Sequence, residues 1–91
     1  MSMDIKEVHL FIENGGDDSL VSEVMKALHP ELLGVPGLKI VRHDVEGWVS
    51  DPFAYAYTKL ALSGIRLTET NCLTGEGEAY GKRIYRVLLK R

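Results

Sequence analysis

The chain has 91 residues and a formal net charge of -2; it is 45% hydrophobic and 26% charged. This length and composition are typical of one globular domain, spanning residues 1–91. The single cysteine, Cys72, excludes an internal disulfide and any zinc site built from several cysteines. The start MSMDIKEV lacks the pattern of a signal peptide, and no apolar run approaches the roughly 18–20 residues of a membrane span. We therefore expect a cytoplasmic protein in a reducing compartment, with no membrane partner.

The first third of the chain predicts a strand, a turn and a helix. Apolar residues alternate along Glu7–Glu13, which is typical of a β-strand, and Asn14-Gly15-Gly16 is a turn signal. Asp17, Asp18 and Ser19 are good N-caps. The helix that follows has an apolar stripe formed by Leu20, Val21, Val24, Met25 and Leu28. Pro30 limits this helix near its end, with room for a short further turn.

The remaining two thirds predict two more strands, a helix and a closing strand. Leu38–Val45 is predicted as a strand. Pro52–Leu62 is predicted as a helix that Ser50 or Asp51 can cap, with proline in its first turn. Strict alternation predicts a half-exposed strand at Ile65–Asn71. Cys72–Ala79, with two glycines and two glutamates, is predicted as a long hairpin loop, and Tyr80–Lys90 as the final strand.

The predicted order β-α-β-α-β-β defines the expected fold class. Helical crossovers make the first three strands parallel wherever they are neighbours, and the closing hairpin adds an antiparallel edge. We expect an α/β two-layer sandwich with a mixed four-stranded sheet and both helices on one face.

Charge is distributed unevenly along the chain. Gly81–Arg91 holds five of the eleven Lys and Arg residues and no acid, whereas Met1–Glu46 holds nine of the thirteen acids. Apolar residues at the centre of this segment alternate between two faces, as expected of a strand. Lys82, Arg83 and Arg86 are candidates for contacts to nucleic-acid phosphates. The alternative is a sheet edge that Lys and Arg protect from aggregation.

The element order and several short segments resemble the Alba family of small archaeal chromatin and RNA-binding proteins. Lys39-Ile40-Val41 followed by Gly47 is similar to the family's second strand and the glycine that opens its second helix. Ile65–Asn71 resembles its third strand, and Arg83–Lys90 its closing strand. The resemblance implies an Alba-like fold, nucleic-acid binding, and a dimer packed partly through the second helix.

Two of the family's contact regions differ in this chain. Alba proteins usually carry a lysine pair in the loop after the first strand, where this chain has the acidic Asn14–Asp18. The family commonly has a basic residue after the glycine of the second connection, where this chain has Trp48. Only the hairpin retains the expected charge, so the resemblance implies weak or specialised binding of RNA or DNA.

Aromatic residues give two further candidates. Trp48, in a connection, could stack on a base or cover one end of the core. Phe53 and Tyr57 belong to the predicted core stripe of the second helix, and Tyr55 lies opposite that stripe. Because this helix is apolar around much of its circumference, we expect Phe53, Tyr55 and Tyr57 to contribute to a homodimer or partner interface.

The sequence shows no catalytic motif. His9, His29 and His43 lack the spacing of a metal site, and Asn14–Ser19 lacks a phosphate-loop pattern. We therefore predict no catalytic residues, no metal and no cofactor. The leading hypothesis is a non-enzymatic dimer that binds nucleic acid weakly through the closing hairpin. The alternatives are an interaction or regulatory subunit that uses the second-helix face, and a small-molecule or thioredoxin-like α/β protein that lacks the CxxC motif.

Overall fold

A computed structural model describes residues 4–15, 17–46 and 49–90. It contains a four-stranded sheet of order β2-β1-β4-β3 and two α-helices. The elements are β1 (Ile5–Glu13), α1 (Asp18–Leu28), a 3-10 turn (Pro30–Leu32), β2 (Lys39–Val45), α2 (Pro52–Leu62), β3 (Cys72–Ala79) and β4 (Lys82–Lys90). The predicted α/β class, element order and mixed four-stranded sheet are confirmed. Within the described residues, no helix is long and apolar enough to cross a membrane.

The sheet is built around β1 and β4. β1 is parallel to β2, with Phe11 opposite His43, and antiparallel to β4, with Phe11 opposite Tyr85. β3 pairs with the other side of β4 in antiparallel register from Cys72 to Ala79. The prediction that β1 and β2 are parallel is therefore confirmed, and β2 and β3 lie at opposite edges of the sheet.

The two helices lie on opposite faces of the sheet, so the expectation that both cover one face is wrong. The core divides into two clusters, one that includes residues of α1 and one that includes residues of α2. The strand order gives the reason. The crossover through α1 runs from β1 outward to β2, and the crossover through α2 runs back across the sheet to β3. Right-handed crossovers that run in opposite directions place their helices on opposite faces.

The face that contacts α1, called here the α1 face, carries the larger cluster. Its buried members on the strands are Ile5, Val8, Leu10, Ile12, Ile84 and Leu88, and those outside the sheet are Val21, Val24, Met25 and Leu32. The α1 members are spaced three and four residues apart, as the predicted stripe requires. The other face, called the α2 face, buries Phe11, Val45, Ala56, Leu60, Leu67, Tyr85, Val87 and Leu89.

The predicted strand at Ile65–Asn71 is wrong, because this segment forms an irregular connection. The Asn71 side chain accepts a hydrogen bond from the Thr68 N–H at 2.7 Å and donates one to the Arg66 carbonyl at 2.8 Å. Such local side-chain bonds compete with a sheet ladder. Leu67 belongs to this connection and its side chain is buried in the core. The alternating pattern therefore reflects burial of side chains in a segment that is not a strand.

The predicted loop Cys72–Ala79 is instead β3, and the hairpin turn is only two residues long. Tyr80 and Gly81 have φ values of 55° and 72°, which match the positive values that a tight hairpin turn requires. β4 therefore lies inside the sheet between β1 and β3. The interpretation of the closing strand as a protected sheet edge is wrong, since its backbone is paired on both sides.

Both α-helices begin at the predicted caps. The Asp17 carboxylate accepts a hydrogen bond from the Leu20 N–H at 2.9 Å, and the Asp51 carboxylate accepts one from the Ala54 N–H at 3.1 Å. Each bond satisfies one backbone donor that the helix itself leaves unpaired. Asp17 therefore caps α1, and Asp18 lies in its first turn, where the helix dipole favours an acid.

Candidate functional site

The cations of the closing hairpin are divided between the two faces. Lys82, Arg86 and Lys90 alternate with the α1-face core residues Ile84 and Leu88. Arg83 lies on the α2 face, because it precedes Tyr85 by two residues in the strand. The three candidate phosphate contacts, Lys82, Arg83 and Arg86, therefore do not form one continuous surface.

Lys82 is engaged at the end of β1. Its Nζ lies 3.5 Å from the Glu13 carbonyl and 3.4 Å from the Asn14 carbonyl, to which it donates. These carbonyls lie where β1 ends and the chain turns towards α1. Lys82 thus connects the hairpin to the β1 turn and is half-buried there.

Arg86 lies flat over two glycines of β3. A Cβ atom added at Gly75 would lie 2.5 Å from Arg86 Nη2, and one at Gly77 would lie 3.2 Å from Nη1. The side chain of Leu28, at the end of α1, is also close to Gly77, because its Cδ2 would lie 3.4 Å from a Cβ added there. The two glycines therefore leave the room that the Arg86 guanidinium occupies on the α1 face.

Arg83 shares the α2 face with three glutamates. Its backbone N–H donates to Glu13 Oε2 at 3.3 Å, and Glu78 is its cross-strand partner. Glu76 lies two residues before Glu78 in β3, so both side chains are on the same face of the strand. The local charge around Arg83 is therefore negative, which weakens the attraction of a phosphate to this position.

The exposed aromatic residues of α2 are Phe53 and Tyr57. Their rings stack with centroids 6.3 Å apart, and the residues are 48% and 44% exposed. This differs from the predicted core stripe, because the buried positions of α2 are Ala56 and Leu60. Tyr55 is half-buried and packs edge-on against Phe11 at 6.1 Å. The other predicted aromatic contact, Trp48, lies outside the described residues.

A surface groove runs beside the exposed side of α2. It has a volume of about 520 Å³ and lies between Phe53, the 67–69 connection and the first residues of the edge strand β3. Leu73, which lines it, is also exposed. This groove extends from Phe53 towards the sheet edge, and Glu69 is the one charged residue among its described lining residues.

A second cavity lies on the α2 face at the carboxyl ends of β1, β2 and β3, and we call it the strand-end cavity. Its volume is about 570 Å³, and its lining residues are Phe11, Glu13, Val45, Val49, Ser50, Pro52, Tyr55, Glu76, Gly77, Glu78, Arg83, Ile84 and Tyr85. Ligands of open α/β sheets bind in crevices at the carboxyl ends of strands. The volume is within the range of small-molecule sites, which are usually about 300–1,000 Å³.

Tyr85 forms part of the wall of this cavity and is buried. Burial raises the pKa of its hydroxyl, and the nearby carboxylates of Glu76 and Asp51 act in the same direction, while a hydrogen bond with Thr74 opposes them. The hydroxyl therefore stays protonated at neutral pH and is able to donate a hydrogen bond.

A hydrogen-bonded chain of Glu7, His9 and His43 lies elsewhere on the α2 face. His9 Nε2 is 3.2 Å from Glu7 Oε1, and His9 Nδ1 is 2.8 Å from His43 Nε2. When Glu7 is ionised it accepts the Nε2–H of His9, so His9 Nδ1 accepts the Nε2–H of His43. The His43 ring also stacks on Phe11 with centroids 4.4 Å apart. The described lining of the strand-end cavity includes neither histidine.

Burial is the main cause of the lowered pKa of both histidines. For His9, the carboxylate of Glu7 opposes the decrease and Lys39 adds to it. For His43, the charges of His9 and Lys59 add to the decrease and Asp44 opposes it. Both rings are therefore neutral near pH 7, so His9 Nδ1 is able to accept the hydrogen bond from His43 Nε2–H.

Cys72 shows no sign of an activated thiolate. Burial raises the pKa of its thiol, and its Sγ donates to the Thr68 carbonyl at 3.2 Å. A raised pKa disfavours nucleophilic or redox chemistry at this residue.

Sequence reasoning missed the residues of the strand-end cavity. Glu76 and Glu78 were assigned to a hairpin loop, and Phe11 and Tyr85 were placed in predicted strands without a role in a site. When β3 is aligned with β4, every second residue of β3 faces a residue on the α2 face of β4. The pairs are Thr74 with Val87, Glu76 with Tyr85, and Glu78 with Arg83. That register was the signal that could have placed two glutamates beside an aromatic wall.

The fold and these sites define a small mixed-sheet α/β protein with one helix on each face. The chain matches no protein-family model, and comparisons with curated proteins and with solved structures gave no match. Its function is therefore inferred from its own geometry.

Proposed function

We propose that the protein is a non-enzymatic interaction domain that self-associates through the exposed side of α2. The observation that carries this proposal is the stacked pair of Phe53 and Tyr57, two large aromatic residues that are each nearly half exposed. Aromatic residues clustered at a surface are typical of the centres of protein interfaces.

The lack of charge on this helix favours a second copy of the chain as the partner. Lys59 is the only charged residue of α2, and it lies over the Tyr55 ring at 5.7 Å, on the side away from Phe53. In a two-fold dimer the same surface meets itself, so a charged surface would meet its own charge. An uncharged aromatic surface avoids that repulsion.

Sedimentation velocity of wild-type protein and two variants tests this proposal. We expect a wild-type dimer in the micromolar range, and a monomer for Phe53→Glu/Tyr57→Glu, because the variant buries two carboxylates without partners. Ser22→Glu, an exposed substitution on α1 that adds one carboxylate, is the surface control and keeps the dimer. Tyr55 is unsuitable as a probe because its ring packs against Phe11. A wild-type protein that stays monomeric at 200 µM (about 100 times a 2 µM dissociation constant) contradicts the proposal.

Nucleic-acid binding through the hairpin stays a prediction of the sequence. Three cations, Lys82, Arg86 and Lys90, share the α1 face of β4 and give it limited support. Its test is the salt dependence described in the Discussion.

A further inference from the structure

We propose that the strand-end cavity binds a small organic cation, an alkylammonium group attached to an aromatic or aliphatic body. The proposal rests on the walls of the cavity and on the charges at its rim. It is independent of self-association, because the cavity lies on the Tyr55 side of α2 and the proposed interface on the Phe53 side.

The walls of the cavity are aromatic and largely apolar. Phe11, Tyr55 and Tyr85 all line it, with the Phe11 centroid 6.1 Å from that of Tyr55 and 6.3 Å from that of Tyr85. These rings belong to three different elements, β1, α2 and β4, so the fold holds them together. Apolar and aromatic walls of this kind bind the hydrocarbon body of such a ligand.

The rim of the cavity is acidic. Glu13, Glu76 and Glu78 line it, whereas Arg83 is the one cationic residue among its described lining residues. The Glu13 carboxylate is oriented by the Arg83 backbone N–H at 3.3 Å. A ligand in the cavity therefore meets more negative than positive charge next to a low-dielectric wall, and that field favours a cation over an anion of the same shape.

The position of Glu76 and Glu78 follows from the β3–β4 register. They face Tyr85 and Arg83 across the hairpin, and the small Gly77 lies between them. The strand thus carries two carboxylates on the α2 face beside the aromatic wall, while its glycines accommodate Arg86 on the other face. The same alternation separates the acidic α2 face of the hairpin from its basic α1 face.

Three ligands that share a phenylethyl body and differ in charge test the proposal on the unmodified protein. Backbone amide shifts of ¹⁵N-labelled protein are followed in titrations with 2-phenylethylamine (a cation at pH 7), 2-phenylethanol (neutral) and 3-phenylpropionate (an anion). We expect saturable binding of the amine below about 10 mM, at least about five-fold tighter than the alcohol, with shifts at Phe11, Tyr55 and Tyr85. The anion is expected to show no saturation in that range.

Two matched variants identify the source of the preference. Glu76→Gln/Glu78→Gln removes two rim carboxylates, and we expect the amine to bind no more tightly than the alcohol. Glu31→Gln/Glu69→Gln makes the same change in net charge at exposed sites outside the cavity lining and keeps the preference. Raising NaCl from 25 to 300 mM weakens amine binding to the wild type and leaves alcohol binding unchanged.

Several outcomes overturn the proposal. These are equal or tighter binding of 3-phenylpropionate, no saturable amine binding up to 10 mM, and shifts confined to α1. An unchanged preference in Glu76→Gln/Glu78→Gln does so as well. None of these results bears on the dimer, because sedimentation of the wild type decides that separately.

Discussion

His9 Nδ1 lies 2.8 Å from His43 Nε2, and this hydrogen bond joins the central strand β1 to the edge strand β2 through their side chains. The two residues are diagonal in the parallel register, since His9 pairs with Val41 and Phe11 with His43. His9 is only 3% exposed. A bond between two rings needs one of them to accept, so at least one histidine must be neutral for it to persist.

This bond predicts a loss of stability in mild acid. Burial lowers the folded-state pKa of both rings below the ordinary histidine value of about 6.5. The unfolded chain therefore binds protons more readily, so the stabilisation is complete above about pH 6.5 and is lost as the pH falls towards the lowered folded-state values. We expect the free energy of unfolding in urea to fall by on the order of 1 kcal/mol between pH 7.5 and 5.5.

Removal of one histidine tests the source of that loss. His43→Gln replaces the half-buried ring with a group that does not titrate, and we expect a smaller change in unfolding free energy between the two pH values. His29→Gln, at the end of α1 and away from this pair, keeps the wild-type change. Equal pH dependence in His43→Gln and wild type would show that the histidine pair is not the cause.

Leu60 and Leu62 separate the buried from the exposed side of α2. Leu60 is fully buried in the α2-face core, and Leu62 is 83% exposed. We expect Leu60→Ala to lower the free energy of unfolding by about 2–4 kcal/mol, because it leaves a cavity under the helix. Leu62→Ala should change it by no more than about 0.5 kcal/mol in the monomer. Equal effects in urea denaturation would contradict this placement of α2.

Gly75 and Arg86 should be energetically coupled. A Cβ at Gly75 forces the guanidinium to move, so Gly75→Ala should be less favourable with Arg86 present than in an Arg86→Ala background. A double-mutant cycle measured by urea denaturation is expected to give a coupling of about 0.5–1 kcal/mol. Gly34→Ala, where an added Cβ meets no atom within 4 Å, serves as the uncoupled control. A coupling energy of zero between Gly75 and Arg86 would contradict the position of the guanidinium over β3.

The division of the hairpin cations limits how strongly the protein can bind nucleic acid. With Lys82, Arg86 and Lys90 on one face, the slope of log K against log salt for a duplex should be no steeper than about -2.7, which is about -0.9 for each of three phosphates. Arg83→Gln should leave this slope unchanged, and Arg86→Gln should reduce it. Fluorescence anisotropy of a labelled duplex checks both values. A steeper slope, or one that depends on Arg83, would mean that the two faces act together.

Local patterns predicted most of the secondary structure. The bounds of α2 agree with the prediction, and α1 begins after Asp17 as its cap predicts, because capping and helical periodicity are set by residues within one or two turns. The prediction of a strand at Ile65–Asn71 is wrong because Ile65 and Leu67 pack against the core. That packing gives the same alternation of residues whether or not the segment forms hydrogen bonds with a neighbouring strand. β3 was missed because its glycines have low strand propensity, and pairing with β4 overrides that propensity.

The location of the candidate sites could not be predicted from local sequence patterns, because it depends on contacts between residues far apart in the chain. Phe53 and Tyr57 were assigned to a core stripe, yet Ala56 and Leu60 face the sheet. The choice between these faces depends on how the helix is rotated against Phe11 and Tyr85. The strand-end cavity likewise required the β3–β4 register before Glu76 and Glu78 could be placed beside an aromatic wall.

The sequence by itself determined the α/β class, both α-helices with their caps, and the basic, alternating character of Gly81–Arg91. These properties depend on side chains a few residues apart, whose geometry is fixed by the helix or strand that they form. The tertiary structure alone decided that the closing strand is internal, that its cations divide between two faces, and that Arg83 meets glutamates. Those outcomes depend on strand order and register, which join residues far apart in the chain.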